Sequence, residues 1–187
     1  MSVCLRESVM PDRVAVFIDG GYFDRALEKM GGLRPDYERF SDKVCRGTER
    51  LRTYYYHCYP HKADPPSPAE RQRYASMDRF LHSLRLLRRF EVRTGRLQAI
   101  GGTYRQKGID TLLSIDMVEL AATGHVSEAV LVSGDSDFAP AVRRAKDKGL
   151  LVALFYSPAI YVHDELFEAC DDRIPMTAAF FADCTRS

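Results

Sequence analysis

Ala129-Val130-Leu131-Val132-Ser133-Gly134-Asp135-Ser136-Asp137-Phe138 is the stretch whose reading decides the fold. Its unbroken apolar run, Ala129 to Val132, predicts a short strand buried on both faces, as in a parallel sheet. Two carboxylates, Asp135 and Asp137, follow at i and i+2 around a Gly and two Ser. From Phe138 the apolar period lengthens to Ala141, Val142 and Ala145, which is a helix face starting at Ser136 or Asp137. The two acids therefore stand at the carboxyl end of a buried strand, where open α/β sheets place their ligands.

The same grammar recurs upstream. Arg13 to Ile18 is a second buried run that ends in Asp19 and a Gly pair, Gly20-Gly21. A helix follows with Phe23, Ala26, Leu27 and Met30 on one face, stopped at Gly31-Gly32. Pro35 to Cys45 predicts a short helix. Leu51 to Tyr59, rich in β-formers, predicts a strand that ends before Pro60. Residues 60–68 carry four prolines and read as a loop, and Ala69 to Arg89 as one long helix. Phe90 to Ile100 is strand-like with a break expected at Gly95, and Gly101 to Gly108 reads as a polar, basic loop. Ile109-Asp110 opens a helix that Gly124 closes. Leu150 to Tyr156 is a further buried strand, residues 160–170 a helix, and Arg173 to Phe181 a short strand and turn. Strands alternating with helices imply an α/β fold with a doubly wound, mostly parallel sheet. One domain is expected over 1–187, with its core at about 13–170, a lead-in at 1–12 and a tail at 171–187.

Composition narrows the function classes. No apolar run reaches the roughly 18 residues that span a bilayer, so no membrane partner is expected. The first ten residues lack the continuous apolar core of a signal peptide. The 5 cysteines are scattered, with no Cys-x-x-Cys pair, which argues against a disulfide framework and for a cytoplasmic location. Net charge is only +1 but unevenly spread: Arg46 to Lys107 holds 14 Lys and Arg against 5 Asp and Glu, and the remainder 13 against 21. Such a basic middle is either a footprint for nucleic acid or a set of Arg-rich exposed helix faces.

The acids form the constellation that carries chemistry. Asp19, Asp135 and Asp137 end buried strands, and Asp110 opens a helix after Gln106-Lys107-Gly108. In a doubly wound sheet these positions converge on one edge. Clustered carboxylates repel one another and need protons or cations to coexist; Mg²⁺ or Mn²⁺, hard ions that take oxygen ligands, suit them. Such ions activate water and stabilise in-line displacement at phosphorus. Taken singly, Asp110 and Asp137 also read as helix caps and Asp19 as a turn residue. Ser133 and Ser136, candidate substrate-binding residues, either bond the carboxylates or their waters, or cap the helix. Lys107 and Arg105, in the basic loop, are candidates to meet a phosphate.

Phe17-Ile18-Asp19-Gly20-Gly21-Tyr22, Lys107-Gly108-Ile109-Asp110 and Ser133-Gly134-Asp135-Ser136-Asp137-Phe138 resemble, in order, the three motifs of the NYN domain (LabA-like), in the PIN-like nuclease superfamily. The likeness runs from about residue 13 to about residue 170. It implies a three-layer α/β/α fold around a mostly parallel sheet. It also implies metal-dependent cleavage of RNA by Asp19, Asp110, Asp135 and Asp137. The chain departs from the pattern at one point: many members carry Asn shortly after the first Asp-Gly, whereas here Gly21-Tyr22 follows and the sequence holds no Asn. A neutral Tyr22 does not replace an amide as a metal ligand. A non-catalytic RNA-binding or adaptor module of the same fold is the alternative, and a homodimer through exposed helix faces is a further expectation.

Other chemistries fit less well. A phosphatase of the haloacid dehalogenase type requires a second Asp two residues after the first, and position 21 is Gly. His57 and His61 have the i, i+4 spacing of a helical zinc pair, but the stretch reads as a strand end. Tyr54, Tyr55, Tyr56 and Tyr59 either stack on bases or pack the sheet. No dinucleotide or Walker glycine loop is present, so no organic cofactor is expected.

Overall fold

The computed structural model describes residues 12–60, 63–100 and 103–185, with backbone alone over 96–107. In chain order it runs β1 (Arg13–Asp19), α1 (Gly20–Lys29), α2 (Tyr37–Val44), β2 (Glu49–Cys58), α3 (Pro68–Arg85), β3 (Phe90–Ile100), β4 (Thr103–Lys107), α4 (Ile109–Thr123) and β5 (Glu128–Val132). A single 3-10 turn (Ser136–Phe138) leads into α5 (Ala139–Lys146). Then come β6 (Leu151–Tyr156), α6 (Asp164–Ala169), β7 (Asp172–Pro175) and a last 3-10 turn (Ala178–Phe181).

The strands form one sheet in the order β4-β3-β2-β1-β5-β6-β7. Six of them run parallel and only β4 is antiparallel. The chain winds outward from β1 in two directions, first to β2 and β3, then back across to β5, β6 and β7. Parallel strands need crossovers, and the two winding directions put them on opposite faces. Accordingly α1, α2 and α3 cover one face with Phe23, Phe40, Leu81 and Leu84. The other face packs against α4, α5 and α6 through Leu113, Met117, Val142 and Leu166. The result is the expected three-layer α/β/α architecture. Buried on both faces, β1 and β5 are as apolar as their sequences imply: Val14 to Ile18 and Ala129 to Val132 are fully buried.

Two expectations fail at the β3–β4 edge. Residues 101–108 were expected to be a loop, yet Thr103–Lys107 pairs antiparallel with β3, from Ile100 opposite Thr103 to Arg96 opposite Lys107. A strand at the sheet edge needs no apolar pattern, because backbone bonds to one neighbour suffice to hold it, and charged residues there suit an edge. Nor does β3 break at Gly95; pairing continues through Gly95 opposite Cys58 and on to Ile100. Gly95 serves a close approach instead. A Cβ there would lie 2.8 Å from Cys58 Sγ and 3.1 Å from Ile109 Cβ. The missing side chain lets the first residue of α4 seat directly on the sheet, which brings Asp110 to its carboxyl edge.

Three arginines of the basic middle are committed to structure. Arg46 pairs with Glu128 and, at 3.2 Å, with Asp172. Arg50 is 3% exposed, bonded to Asp42 at 2.8 Å and to the carbonyls of Arg88 and Arg89. Arg89 pairs with Glu49 at 2.8 Å. These three arginines stand where the strands begin, at the amino edge, each neutralised by an acid. They staple the sheet and are too far along the strands to serve a ligand at the opposite edge.

Replacing Gly95 by Ala forces α4 off the sheet. It should lower stability by about 1–3 kcal/mol, read as a shift of the urea midpoint at unchanged m-value.

Candidate functional site

β1 and β5 are neighbours, but the chain leaves β1 toward β2 and returns to β5 only after α4. The crevice at their carboxyl ends is the switch point of the sheet, the place where doubly wound folds bind ligands. Ile18 pairs with Val132, so Asp19 and Ser133 are the first residues past the paired core on the two strands.

Asp19 caps α1. Its Oδ1 accepts from the Tyr22 backbone N–H at 3.1 Å, and its Oδ2 accepts from the Ser133 hydroxyl at 3.1 Å. Ser133 is fully buried, and its Oγ also accepts from the Asp135 N–H at 3.3 Å. Asp135 Oδ1 in turn accepts from the Asp137 N–H at 3.0 Å and caps the 3-10 turn. A continuous chain of hydrogen bonds thus links Asp19, Ser133, Asp135 and Asp137 across two strands. Of the two readings of Ser133, the carboxylate bond is the one realised. Ser136 is half-buried, and its hydroxyl bonds no described residue. Asp135 and Asp137 are exposed. Asp110 enters from α4, whose cap, Gly108, supplies no side chain.

The electrostatics bind the four acids into one group. Burial and then the charges of Asp19, Asp135 and Asp137 push the Asp110 carboxyl up to about 6. Burial, joined by the charge of Asp135, also raises Asp19, against the pull of Tyr22 N–H, the Ser133 hydroxyl and the Arg25 guanidinium. No three His, Cys, Asp or Glu side chains among the described residues close into a ready-made metal cage. The donor set is nevertheless all-oxygen and rich in negative charge, which fits a hard divalent cation. Each Asp19 oxygen accepts one hydrogen bond and keeps a lone pair.

One residue here, Arg25, escaped the sequence reading, and two that it named, Tyr22 and His57, make contacts it did not foresee. Arg25 sits on α1 in the second turn, exposed and without an ion pair among the described residues. Long helical side chains lean toward the helix N-terminus, which carries its charge toward Asp19. Tyr22, at the departure from the family pattern, is buried; its hydroxyl accepts from the Ser157 N–H at 2.9 Å. Its ring lies where a Cβ on Gly134 would come within 2.6 Å, so Gly134 and Tyr22 require each other. His57 contacts α1 from the side opposite Asp110. Its Nε2 lies 3.0 Å from an Asp24 carboxylate oxygen and its Nδ1 2.8 Å from the Cys58 carbonyl, two acceptors that only the doubly protonated ring satisfies together. Burial opposes charging of this ring, but those two acceptors prevail and raise its pKa.

Other candidates resolve differently. Tyr55 and Tyr56 are buried on opposite faces of the sheet, Tyr54 stacks on Phe17, and Tyr59 stacks on Tyr74. They pack the sheet and present no open base platform. The side chains of Arg105 and Lys107 and the whole of His61 lie outside the described residues; the backbone places Lys107 at the end of β4, two residues before Ile109.

Asp110 keeps its proton to about pH 6 in the folded protein, whereas an unfolded chain releases it near 3.8. The folded state binds more protons between those values, so stability falls as pH rises through that window. In metal-free protein Asp110→Asn should therefore raise the melting temperature at pH 7 and leave it unchanged at pH 3.5. Tyr22→Phe strands the buried Ser157 N–H and should cost about 1–3 kcal/mol in urea unfolding.

Comparison with known proteins agrees with the architecture. The protein of unknown function VPA0982 from Vibrio parahaemolyticus RIMD 2210633 superposes with a TM-score of 0.69 at 21% identity, over 96% of this chain and 99% of that one. Uncharacterized protein y4oD of Sinorhizobium fredii (strain NBRC 101917 / NGR234) is 44% identical over 59 residues, 32% of this chain. The match spans only 28% of that relative's length. The NYN domain model matches residues 13–177, nearly the whole described fold and all four acids. The chain belongs to the NYN domain family, within the PIN-like nuclease superfamily.

Proposed function

We propose that this protein is a metal-dependent endoribonuclease that hydrolyses RNA phosphodiester bonds at the β1–β5 crevice. The observation that carries the reading is the electrostatic coupling of Asp110 to Asp19, Asp135 and Asp137 at the switch point of the sheet. Folding these carboxylates together without a cation is unfavourable, and an all-oxygen site of that charge suits Mg²⁺ or Mn²⁺. Asp19, Asp110, Asp135 and Asp137 would hold the metal, which when bound supplies an activated water and charge stabilisation at phosphorus.

The remaining roles belong to the chain itself. Ser133 fixes the Asp19 carboxylate and the Asp135 backbone, so it positions ligands and stays out of contact with substrate. Arg25, with Arg105 and Lys107 from β4, would meet the phosphates of a strand lying along the crevice. Ser136 faces the same edge and offers a hydroxyl to substrate or water. No helix among the described residues is long and apolar enough to cross a membrane. A cytoplasmic RNA partner fits the composition and the family.

The second reading is a non-catalytic RNA-binding module. It draws on the lack of a closed three-ligand cage among the described residues and on Tyr22 in the first motif.

Incubation of the protein with a labelled single-stranded RNA should give fragments with Mn²⁺ or Mg²⁺ and none with EDTA. Asp135→Asn should slow cleavage by about 100-fold or more, and Ser133→Ala by roughly 10- to 100-fold. Equal rates for wild type and Asp135→Asn would exclude the acidic cluster as the site. RNA binding without fragments at any divalent concentration would select the second reading.

A further inference from the structure

Beside the acidic crevice, past the carboxyl end of β6, lies an open groove of about 430 Å³. Tyr156, Pro158, Ile160, Tyr161 and Phe167 make its walls, and Asp164 stands among them. Tyr161 is 69% exposed, among the most exposed large apolar side chains described. Among the described aromatic rings it meets that of His163, edge-on, with centroids 5.2 Å apart. Folding gains little from an aromatic so placed.

The groove is physically joined to the acids. The His163 N–H donates to the Gly134 carbonyl at 3.2 Å, and the Tyr161 carbonyl lies 3.3 Å from where a Cβ on Gly134 would sit. Gly134 is the residue between Ser133 and Asp135. The far wall is held firm: Phe167 packs edge-on against Tyr156 at 5.4 Å, and the Arg173 guanidinium, bonded to the Phe167 carbonyl, covers its ring at 5.5 Å.

We propose that this groove is a nucleobase subsite, in which Tyr161 stacks on an unpaired base of the RNA strand next to the scissile phosphate. The identity of the polymer rests on the ribonuclease reading; the chemistry of the subsite comes from the groove. An exposed aromatic face is sequence-tolerant and matches any base, since every base has a π-face. Asp164 offers acceptors alone and repels phosphate, so the occupant is the uncharged base and not the backbone. A base inside a duplex already has both faces covered by its neighbours. The subsite therefore makes the protein selective for single-stranded RNA.

Fluorescence anisotropy in EDTA with a 5′-labelled twelve-nucleotide single strand tests the subsite apart from catalysis. Tyr161→Ala should weaken binding by roughly tenfold, and Tyr161→Phe should bind as wild type. Both should melt with the wild type, because the side chain is exposed. An abasic strand of equal length should bind wild type and Tyr161→Ala alike. If Tyr161→Ala binds the normal strand with wild-type affinity, the subsite is wrong, while metal-dependent cleavage, assayed separately, leaves the ribonuclease reading standing. If the wild type neither binds nor cleaves single strands, both fall. Displacement of the strand by AMP at affinity equal to its own would make the groove a mononucleotide site and overturn the strand assignment.

Discussion

Everything at the carboxyl edge depends on one carboxylate, Asp19, clasped between the Tyr22 backbone N–H and the Ser133 hydroxyl. The Ser133 bond joins residues 114 positions apart and closes the seam where the two directions of winding part. It can form only if β1 and β5 lie side by side in register, with Ile18 against Val132. Asp135 then inherits its place from the same hydroxyl, and Asp137 from Asp135. A partly buried carboxylate with other acids nearby raises the energy of the folded state. That cost is tolerable because the strands beneath it are fully buried on both faces and pack against six helices. Stability drawn from the two cores offsets that local cost at the edge.

The departure in the first family motif gains a physical meaning from the packing. Tyr22 does not point into the crevice; it turns under Gly134 and anchors the backbone at Ser157. At the point where the resemblance leads one to expect an amide, the side chain is part of the scaffold. The same tyrosine thus fixes the spacing between the β1–α1 turn and the β5 loop, and sets the distance between Asp19 and Asp135. Among the four acids, those two owe their placement to a hydroxyl and a phenol drawn from separate strands and helices.

Much of this was legible in the sequence, and the reasons are specific. Buried parallel strands write themselves as unbroken apolar runs, so β1, β5 and β6 could be read directly, and with them the edge where Asp19 and Asp135 emerge. The position of Asp110 followed from a helix start. β4 could not be seen, because an edge strand of Thr, Tyr, Arg, Gln and Lys is held by backbone bonds that leave no pattern in side chains. The placement of the basic stretch was not legible for a related reason. Charge counted along the chain does not record which end of a strand a residue occupies, and Arg46, Arg50 and Arg89 all stand at the end remote from the acids. The helix expected over 160–170 begins only at Asp164, so the expected periodicity gave no sign that Tyr161 stands exposed in the loop before it.

The order of the strands has a consequence for synthesis. β1 is made early but lies at the centre of the sheet, and one of its hydrogen-bonding edges stays open until residues 128–132 have been made. During that interval Asp19 has no Ser133 to orient it and no Asp135 beside it. A chain still being made therefore holds its acids apart, and the crevice comes into being only once β5 and the turn after it have followed. The topology works as a delay: the carboxyl edge cannot assemble until Ser133 to Asp137 have been made.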